Sequence, residues 1–335
     1  MNKFNDVKNI LSKYYSGDIN LNLSPATSYR SRCEFGYRNG KYTMVKGDKK
    51  ISLTNYDLPV SSIQNIMEPL LEQIKANELL KHKLFQINFR AVRDVVLISL
   101  IYHKELEEKW LEAANGVTSI LNVHIIGRSR KQIIATDILE LEDEVDVQDS
   151  YYLYQDDKTF YQPNKYIMPK MVEYSLSLIS DPKDLLELYC GSGTFTVPMS
   201  RYFKNIFATE NNRASITYLN KSIKKNDIAN IAYARLSDTE LTEAFNGRVF
   251  RRMGGIDLGN YNFSHVLVDP PRSGLNENVT DILQKFDNII YISCNPETFE
   301  RDLENLKDYK INKVEVFDQF SNTSHLELIA LLTKV

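Results

Sequence analysis

Cys294 closes an apolar run, Ile289-Ile290-Tyr291-Ile292-Ser293-Cys294, that Asn295-Pro296 stops. The β-branched run predicts a strand, so the thiol is expected at a strand's carboxyl end, where open α/β sheets gather their ligands. A lone cysteine is more often a small buried hydrophobe than a nucleophile. Three other segments shift that balance, because each puts chemistry at the same kind of position. Leu185-Leu186-Glu187-Leu188-Tyr189 runs into Cys190-Gly191-Ser192-Gly193-Thr194, a glycine turn where the backbone can approach a ligand that a Cβ would obstruct. Glu210 ends the next apolar run, 17 residues past Gly193, where a carboxylate can accept both hydroxyls of a ribose. Asp269 ends a third run, and the prolines of Asp269-Pro270-Pro271-Arg272 hold an extended turn that aims the acid and the base. If those strands are parallel, Gly191, Glu210, Asp269 and Cys294 share one rim, which makes Cys294 a candidate nucleophile. The thiolate is the reactive form, so the site must lower its pKa or supply a base. Glu327 is the candidate proton acceptor: it starts an otherwise apolar terminal strand and is costly there if it faces the core unpaired. A solvated glutamate at a strand edge is the alternative.

The elements that must carry these positions fall into two halves. From about residue 165 the pattern is strand-helix-strand, with strands over 184–189, 206–210, 231–236, 265–269, 289–293, 314–320 and 326–335. Helices are expected over 165–179, 195–202, 212–226, 276–285 and 298–307. Such alternation predicts an α/β, doubly wound, Rossmann-like parallel sheet. Residues 321–325 are too few for a helical crossover, so the last two strands pair antiparallel; a parallel sheet ending in an antiparallel hairpin is the pattern of class I methyltransferases. The first half reads as α+β. Ile63, Ile66, Met67, Leu70, Leu71, Ile74, Leu79 and Leu80 make 61–83 an amphipathic helix. Strands follow over 84–90 and 95–103, a helix around 106–114, and a strand pair over 119–127 and 131–136. The acidic stretch 140–149 reads as a solvated connector. The expected division is 1–158 and 159–335.

A chain of 335 residues has room for two such units. No apolar run approaches the roughly 18 residues of a membrane span, and the polar start Met1-Asn2-Lys3-Phe4-Asn5-Asp6 does not read as a signal peptide. A cytoplasmic protein is expected, with no membrane association and no obligate protein partner. Three widely spaced cysteines, Cys33, Cys190 and Cys294, offer neither a disulfide framework nor the four thiolates of an iron-sulfur cluster; no metal is expected. The net charge of −3 conceals a basic stretch between Arg30 and Lys50, seven cations against two acids, which points to a local polyanion site. Tyr29, Arg30, Arg32, Phe35, Tyr37, Arg38 and Tyr42 interleave bases and aromatics there, as phosphate and stacking contacts to RNA would require. A solvated hairpin surface is the alternative.

The glycine turn alone fits NAD, a nucleotide or S-adenosylmethionine. No third glycine completes Gly-x-Gly-x-x-Gly, and Cys190-Gly191-Ser192-Gly193 has the form found in methyltransferases; a dinucleotide oxidoreductase stays open on this motif. Arg272 follows the two prolines where amine-methylating enzymes place an aromatic, which disfavours N-methylation. A thiol beside a methyl donor suits carbon 5 of uracil. That carbon is a poor nucleophile until a thiolate adds to carbon 6 and turns the ring into an enolate, and the carbon 5 proton must then leave to a base before the thiol is eliminated.

Tyr291-Ile292-Ser293-Cys294-Asn295-Pro296-Glu297-Thr298, Asp269-Pro270-Pro271-Arg272-Ser273-Gly274-Leu275, Phe160-Tyr161-Gln162-Pro163-Asn164 and His325-Leu326-Glu327 together resemble the RNA uracil-5-methyltransferase family. Gly247-Arg248-Val249-Phe250-Arg251-Arg252, Gly255-Ile256-Asp257-Leu258 and Asn55-Tyr56-Asp57-Leu58-Pro59-Val60 are similar to the bacterial subgroup that makes ribothymidine in the tRNA T-loop, at position 54. The resemblance spans nearly the whole chain. It implies Cys294 as nucleophile, Glu327 as proton acceptor, and S-adenosylmethionine held by Gln162, Tyr189, Thr194, Glu210 and Asp269 beside Gly191 and Gly193. Thr194 stands where the family carries asparagine. It further implies an RNA-binding first half and extrusion of the target base from its stack. Neither an amino-terminal cysteine cluster nor an extra β-barrel is visible, which favours tRNA over ribosomal RNA. An RNA-binding or RNA-folding protein with methylation secondary is the rival from another class.

Overall fold

The computed structural model describes residues 3–335; Met1 and Asn2 of the polar start, and the side chain of Lys46 in the basic stretch, lie outside the described residues. The first half runs α1 (Lys3–Leu11), β1 (Asn20–Asn22), β2 (Arg32–Arg38), β3 (Lys41–Lys46), β4 (Lys49–Ser52), α2 (Ser61–Ala76), α3 (Glu78–Lys81), β5 (Leu84–Val92), β6 (Val95–Tyr102), α4 (Glu108–Leu121), β7 (His124–Ser129), β8 (Gln132–Ala135), β9 (Glu140–Val147) and β10 (Asp149–Asp156). The second runs α5 (Met168–Ser177), β11 (Asp184–Leu188), α6 (Thr196–Met199), β12 (Asn205–Thr209), α7 (Arg213–Lys225), β13 (Ile231–Ala234), α8 (Asp238–Phe245), β14 (Phe263–Val268), α9 (Glu277–Leu283), β15 (Asn288–Ser293), α10 (Pro296–Asn305), β16 (Tyr309–Phe317) and β17 (Glu327–Lys334).

The larger sheet has the order β1-β16-β17-β15-β14-β11-β12-β13. Its central strands are apolar on both faces, as a parallel sheet covered by helices requires. Leu186, Val266, Val268, Ile289 and Tyr291 enter one core, while Leu185, Leu267, Ile290 and Ile292 enter the other. Strands β11, β12, β13, β14 and β15 pair parallel, and β17 runs antiparallel to both β15 and β16, so the expected α/β sheet with its terminal hairpin is present. The chain leaves β11 toward β12 on one side and returns on the other at β14, a topological switch point where a ligand crevice opens at the strands' carboxyl ends.

Several local expectations are corrected. Helix α4 continues through residues 119–121, which were expected to begin a strand, and ends at Asn122, whose φ of +53° is a left-handed helix stop. The helix expected over 61–83 divides at Asn77, an extended residue whose side chain caps α3 by accepting from the Leu79 amide. The acidic stretch is no solvated connector: Leu141, Val145 and Val147 alternate inward in the β9–β10 ribbon, and its acids pair with cations of the second half, Glu140 with Lys221, Glu142 with Lys225 and Asp149 with Arg201. The start of the chain, grouped with residues 1–158 on the sequence pattern, joins the larger sheet, where β1 lies parallel to β16 and α1 packs beside α10.

A second sheet, β4-β3-β2-β5-β6-β7-β8, is covered on one face by α2, α3 and α4. Tyr29, Phe35, Tyr37 and Tyr42 are all buried, the last three in that helix-covered core. This corrects their expected role: they are packing and cannot stack on RNA bases. Strand alternation gives the reason, since Cys33, Phe35 and Tyr37 point inward while Arg32, Glu34 and Arg38 point the other way.

Candidate active site

Cys294 follows β15 directly, and Glu327 opens β17. The two strands pair antiparallel with Ser293 opposite Leu328, and one further step of that register puts Cys294 opposite Glu327. Asn295 ends the strand by accepting a hydrogen bond from the Glu297 amide, with Pro296 in the first turn of α10, an arrangement that fixes the backbone beside the thiol. Asp269 leaves the neighbouring strand β14. Glu327 is 6% exposed, and burial, then the Asp269 charge, pushes its carboxyl up to about 8, against a lowering influence from Arg272. Burial pushes Asp269 up to about 7. Cys294 is raised to about 11 by burial, then by Glu327 and Asp269, with Arg272 again opposing. The thiol and the acid are thus electrostatically coupled, and Arg272 favours the ionised form of each. A pocket of roughly 390 Å³ opens over the thiol, lined by Arg272, Cys294, Asn295 and His325 on one side and by Lys3, Asp6, Val7 and Ile10 of α1 on the other. Lys3 fastens that helix down by donating to Asp318 at 2.6 Å and to the Phe320 carbonyl at 3.0 Å. The sequence pattern gave no hint of this wall.

The glycine turn follows β11. Gly191 and Gly193 have φ of +56° and +97°, conformations that suit glycine. A Cβ at Gly193 would lie 2.7 Å from Leu219, whereas one at Gly191 would meet nothing within 4 Å, so Gly191 borders open space. Glu210 accepts from the Gly191 amide at 3.2 Å and from the Asn212 amide at 2.6 Å, which fixes it over the turn. Tyr189, at φ +60°, donates to Asp238 at 3.1 Å. Gln162 is buried and accepts from Gln319. Thr194 is half-buried at the turn. Beneath them lies Glu187, which the sequence reading passed over as a strand residue. It is 1% exposed, both carboxylate oxygens lack a hydrogen-bond partner, and burial pushes it up to about 8. The Ser192 hydroxyl is likewise buried and unpartnered, while the buried Thr196 hydroxyl lies beside the Glu187 carboxyl and opposes that rise. Buried polar groups are normally satisfied, so this cluster has hydrogen-bonding capacity left for a polar ligand. Its signal was available in Leu-Glu-Leu, an acid within a wholly apolar strand.

The family model for tRNA (Uracil-5-)-methyltransferase matches residues 1–335. The chain belongs to the tRNA (uracil-5-)-methyltransferase family. Curated relatives named tRNA/tmRNA (uracil-C(5))-methyltransferase are similar over most of their length. The one from Campylobacter concisus is 41% identical over 335 residues, 97% of this chain and 91% of the relative. That from Saccharophagus degradans is 41% identical over 340 residues, covering 98% and 93%. Among solved structures, the Pyrococcus abyssi tRNA (uracil-54, C5)-methyltransferase in complex with S-adenosyl-L-homocysteine shares the fold, with a TM-score of 0.78 at 20% identity, covering 99% of this chain and 82% of that one. No helix among the described residues is long and apolar enough to cross a membrane.

A tRNA (uracil-5-)-methyltransferase must hold RNA, and the face of the seven-stranded sheet opposite its helices, which β9 and the 155–159 segment cover only in part, carries groups suited to it. Phe85 and His103, at the ends of β5 and β6, stack with centroids 3.8 Å apart and planes 9° from parallel. They line a broad cleft of about 850 Å³ with Lys104, Arg130, Lys131 and Lys158. Phe160 is also exposed, at 59%. Neither Phe85 nor His103 stood out in the sequence, because a lone aromatic at a strand end reads as core. Of the basic residues that did stand out, Arg32 pairs with Glu34 at 2.6 Å and Arg30 lies 5.9 Å from the Phe320 ring; Arg38 remains exposed.

Proposed function

We propose that this chain methylates carbon 5 of the T-loop uridine of tRNA, position 54, with S-adenosylmethionine as donor, Cys294 as nucleophile and Glu327 as proton acceptor. The observation that carries the reading is the register that sets Cys294 opposite Glu327 at the rim shared with the glycine turn. The residues present fit the donor: the buried Glu187 carboxyl could accept from its ammonium, Gly191 leaves room, and Glu210, held over the glycine turn, could accept from ribose hydroxyls. Gln162, Tyr189, Gly193, Thr194 and Asp269 would hold the rest of it, as the sequence resemblance implies. When bound, S-adenosylmethionine supplies an electrophilic methyl group on a positively charged sulfur. The Cys294 thiolate adds to carbon 6 and makes carbon 5 nucleophilic; carbon 5 would take the methyl as its bond to the sulfonium breaks onto sulfur, leaving S-adenosylhomocysteine. Glu327 removes the carbon 5 proton, and the sulfur–carbon 6 bond breaks to restore the double bond and free the thiolate. Residues 159–335 carry this chemistry with α1 as one wall of the cleft, and the seven-stranded sheet grips the RNA.

The T-loop assignment rests on the sequence resemblance; the names of the curated relatives give tRNA and tmRNA and no position in them. Labelled donor incubated with tRNA and with ribosomal RNA, followed by digestion to the modified nucleotide, tests it: label at the T-loop uridine is expected, and label confined to ribosomal RNA overturns it.

A further inference from the structure

The basic stretch that drew attention in the sequence ends in a built pocket. Arg38, Lys41, Thr43, Lys50 and Ser52 line a cavity of roughly 320 Å³ on the uncovered face of β2, β3 and β4. Register explains why they meet there: Arg38 pairs with Lys41, Thr43 with Ser52, and Lys50 with Val45 on the same face. None of the three cations has an ion-pair or hydrogen-bond partner among the described residues. Thr43 is 3% exposed and its hydroxyl has no partner. Its neighbour across the pair is Gly36, where a Cβ would lie 2.5 Å from that hydroxyl, so glycine keeps the floor of the pocket open. Unpaired cations above a buried, unsatisfied donor make a site for a phosphate oxygen.

We infer that this pocket binds a backbone phosphate of the helical stem that carries the target loop, an assignment that rests on RNA being the substrate. The register Thr43, Gly36, Gln86, Ile101 crosses two strand spacings to β5, which carries Phe85, and three to β6, which His103 follows, about 10 and 14 Å at roughly 4.8 Å per strand. The two sites differ in chemistry. The stacked pair offers π faces, which need unpaired bases. The Arg38 pocket offers only cations and hydroxyls, which fix a backbone without reading bases. A single RNA whose unpaired loop lies on the aromatics and whose stem reaches the cations satisfies both.

The test compares two hairpin RNAs with one loop, the second with its stem cut back to the pairs nearest that loop. Full-length protein is expected to bind the long-stem RNA about tenfold more tightly at moderate salt, with a log affinity versus log salt slope steeper by roughly 0.7–0.9 for each stem phosphate engaged. The Arg38→Gln/Lys50→Gln protein is expected to bind both RNAs alike. Thr43→Val, which keeps the side-chain shape, is expected to lose about three- to tenfold of the long-stem preference, as for one hydrogen bond to a charged group. Variants that keep the parent's preference and slope overturn the inference, and so does an equal loss on both RNAs, which would put the cations on the loop. Failure of the functional reading shows separately, as a parent protein that forms no covalent Cys294–RNA adduct while the stem comparison still reads the pocket.

Discussion

Cys294 and Glu327 stand one residue beyond Ser293 and Leu328, the last paired positions of the antiparallel β15–β17 ladder, so one strand register places both the proposed nucleophile and the proposed base. Their division of labour can be separated. Cys294→Ala is expected to form no covalent RNA adduct, whereas Glu327→Gln allows addition and methyl transfer but traps the methylated adduct. Loss of a general base lowers turnover by about 10²–10⁴-fold. A denaturing gel checks both, and the absence of a slow-migrating species with Glu327→Gln would remove the base assignment.

The same coupling sets a pH dependence. The negative charge of Glu327 helps lift the Cys294 thiol to about 11, and Glu327 itself titrates near 8. Turnover should rise through the range of about pH 7–9 as the base form appears. In Glu327→Gln that charge is gone, so the rate of adduct formation should reach its midpoint at lower pH than in the parent. Stability follows the opposite course. A carboxyl raised from 4.5 to about 8 holds its proton more tightly in the folded state, so the stability it contributes is complete below about pH 4.5 and is lost as pH rises through 8. The melting temperature of Glu327→Gln relative to the parent should therefore increase between pH 5 and pH 9.

Much of this site was legible because its residues end apolar strands. Cys294, Asp269 and Glu210 each close a buried run, and strand alternation with helices fixes those ends on one rim. What escaped is what depends on contacts far apart in sequence. Lys3 and Asp6 wall the Cys294 pocket because β1 joins the edge of a sheet built some 290 residues later, and no local pattern announces such pairing. Tyr37 and Tyr42 were misread for a related reason: in a half-buried hairpin the alternation shows two faces but not which one a helix will cover.

Glu187 was missed as a strand residue and now carries a prediction. Its oxygens are buried and unpartnered, and hydrogen bonds to charged groups contribute about 1.5–3 kcal/mol. Glu187→Gln should raise KM for S-adenosylmethionine by about 10–100-fold, while affinity for a donor analogue lacking the amino group should change little. Equal losses for both compounds would assign Glu187 to packing instead.

Phe85 and His103 give the most direct test of how the RNA is held. Their stacked rings border a cleft that also holds Arg130, Lys131 and Lys158, and base–aromatic stacking contributes about 1–3 kcal/mol per base. Phe85→Leu preserves the apolar bulk but removes the π face, so KM for RNA should rise by about 5–100-fold, with KM for the donor unchanged. Because stacking carries no charge, the salt dependence of RNA binding should keep the parent's slope, in contrast to the Arg38→Gln/Lys50→Gln protein. A Phe85→Leu protein with altered slope and unaltered affinity would mean that the pair organises the cations and does not touch a base.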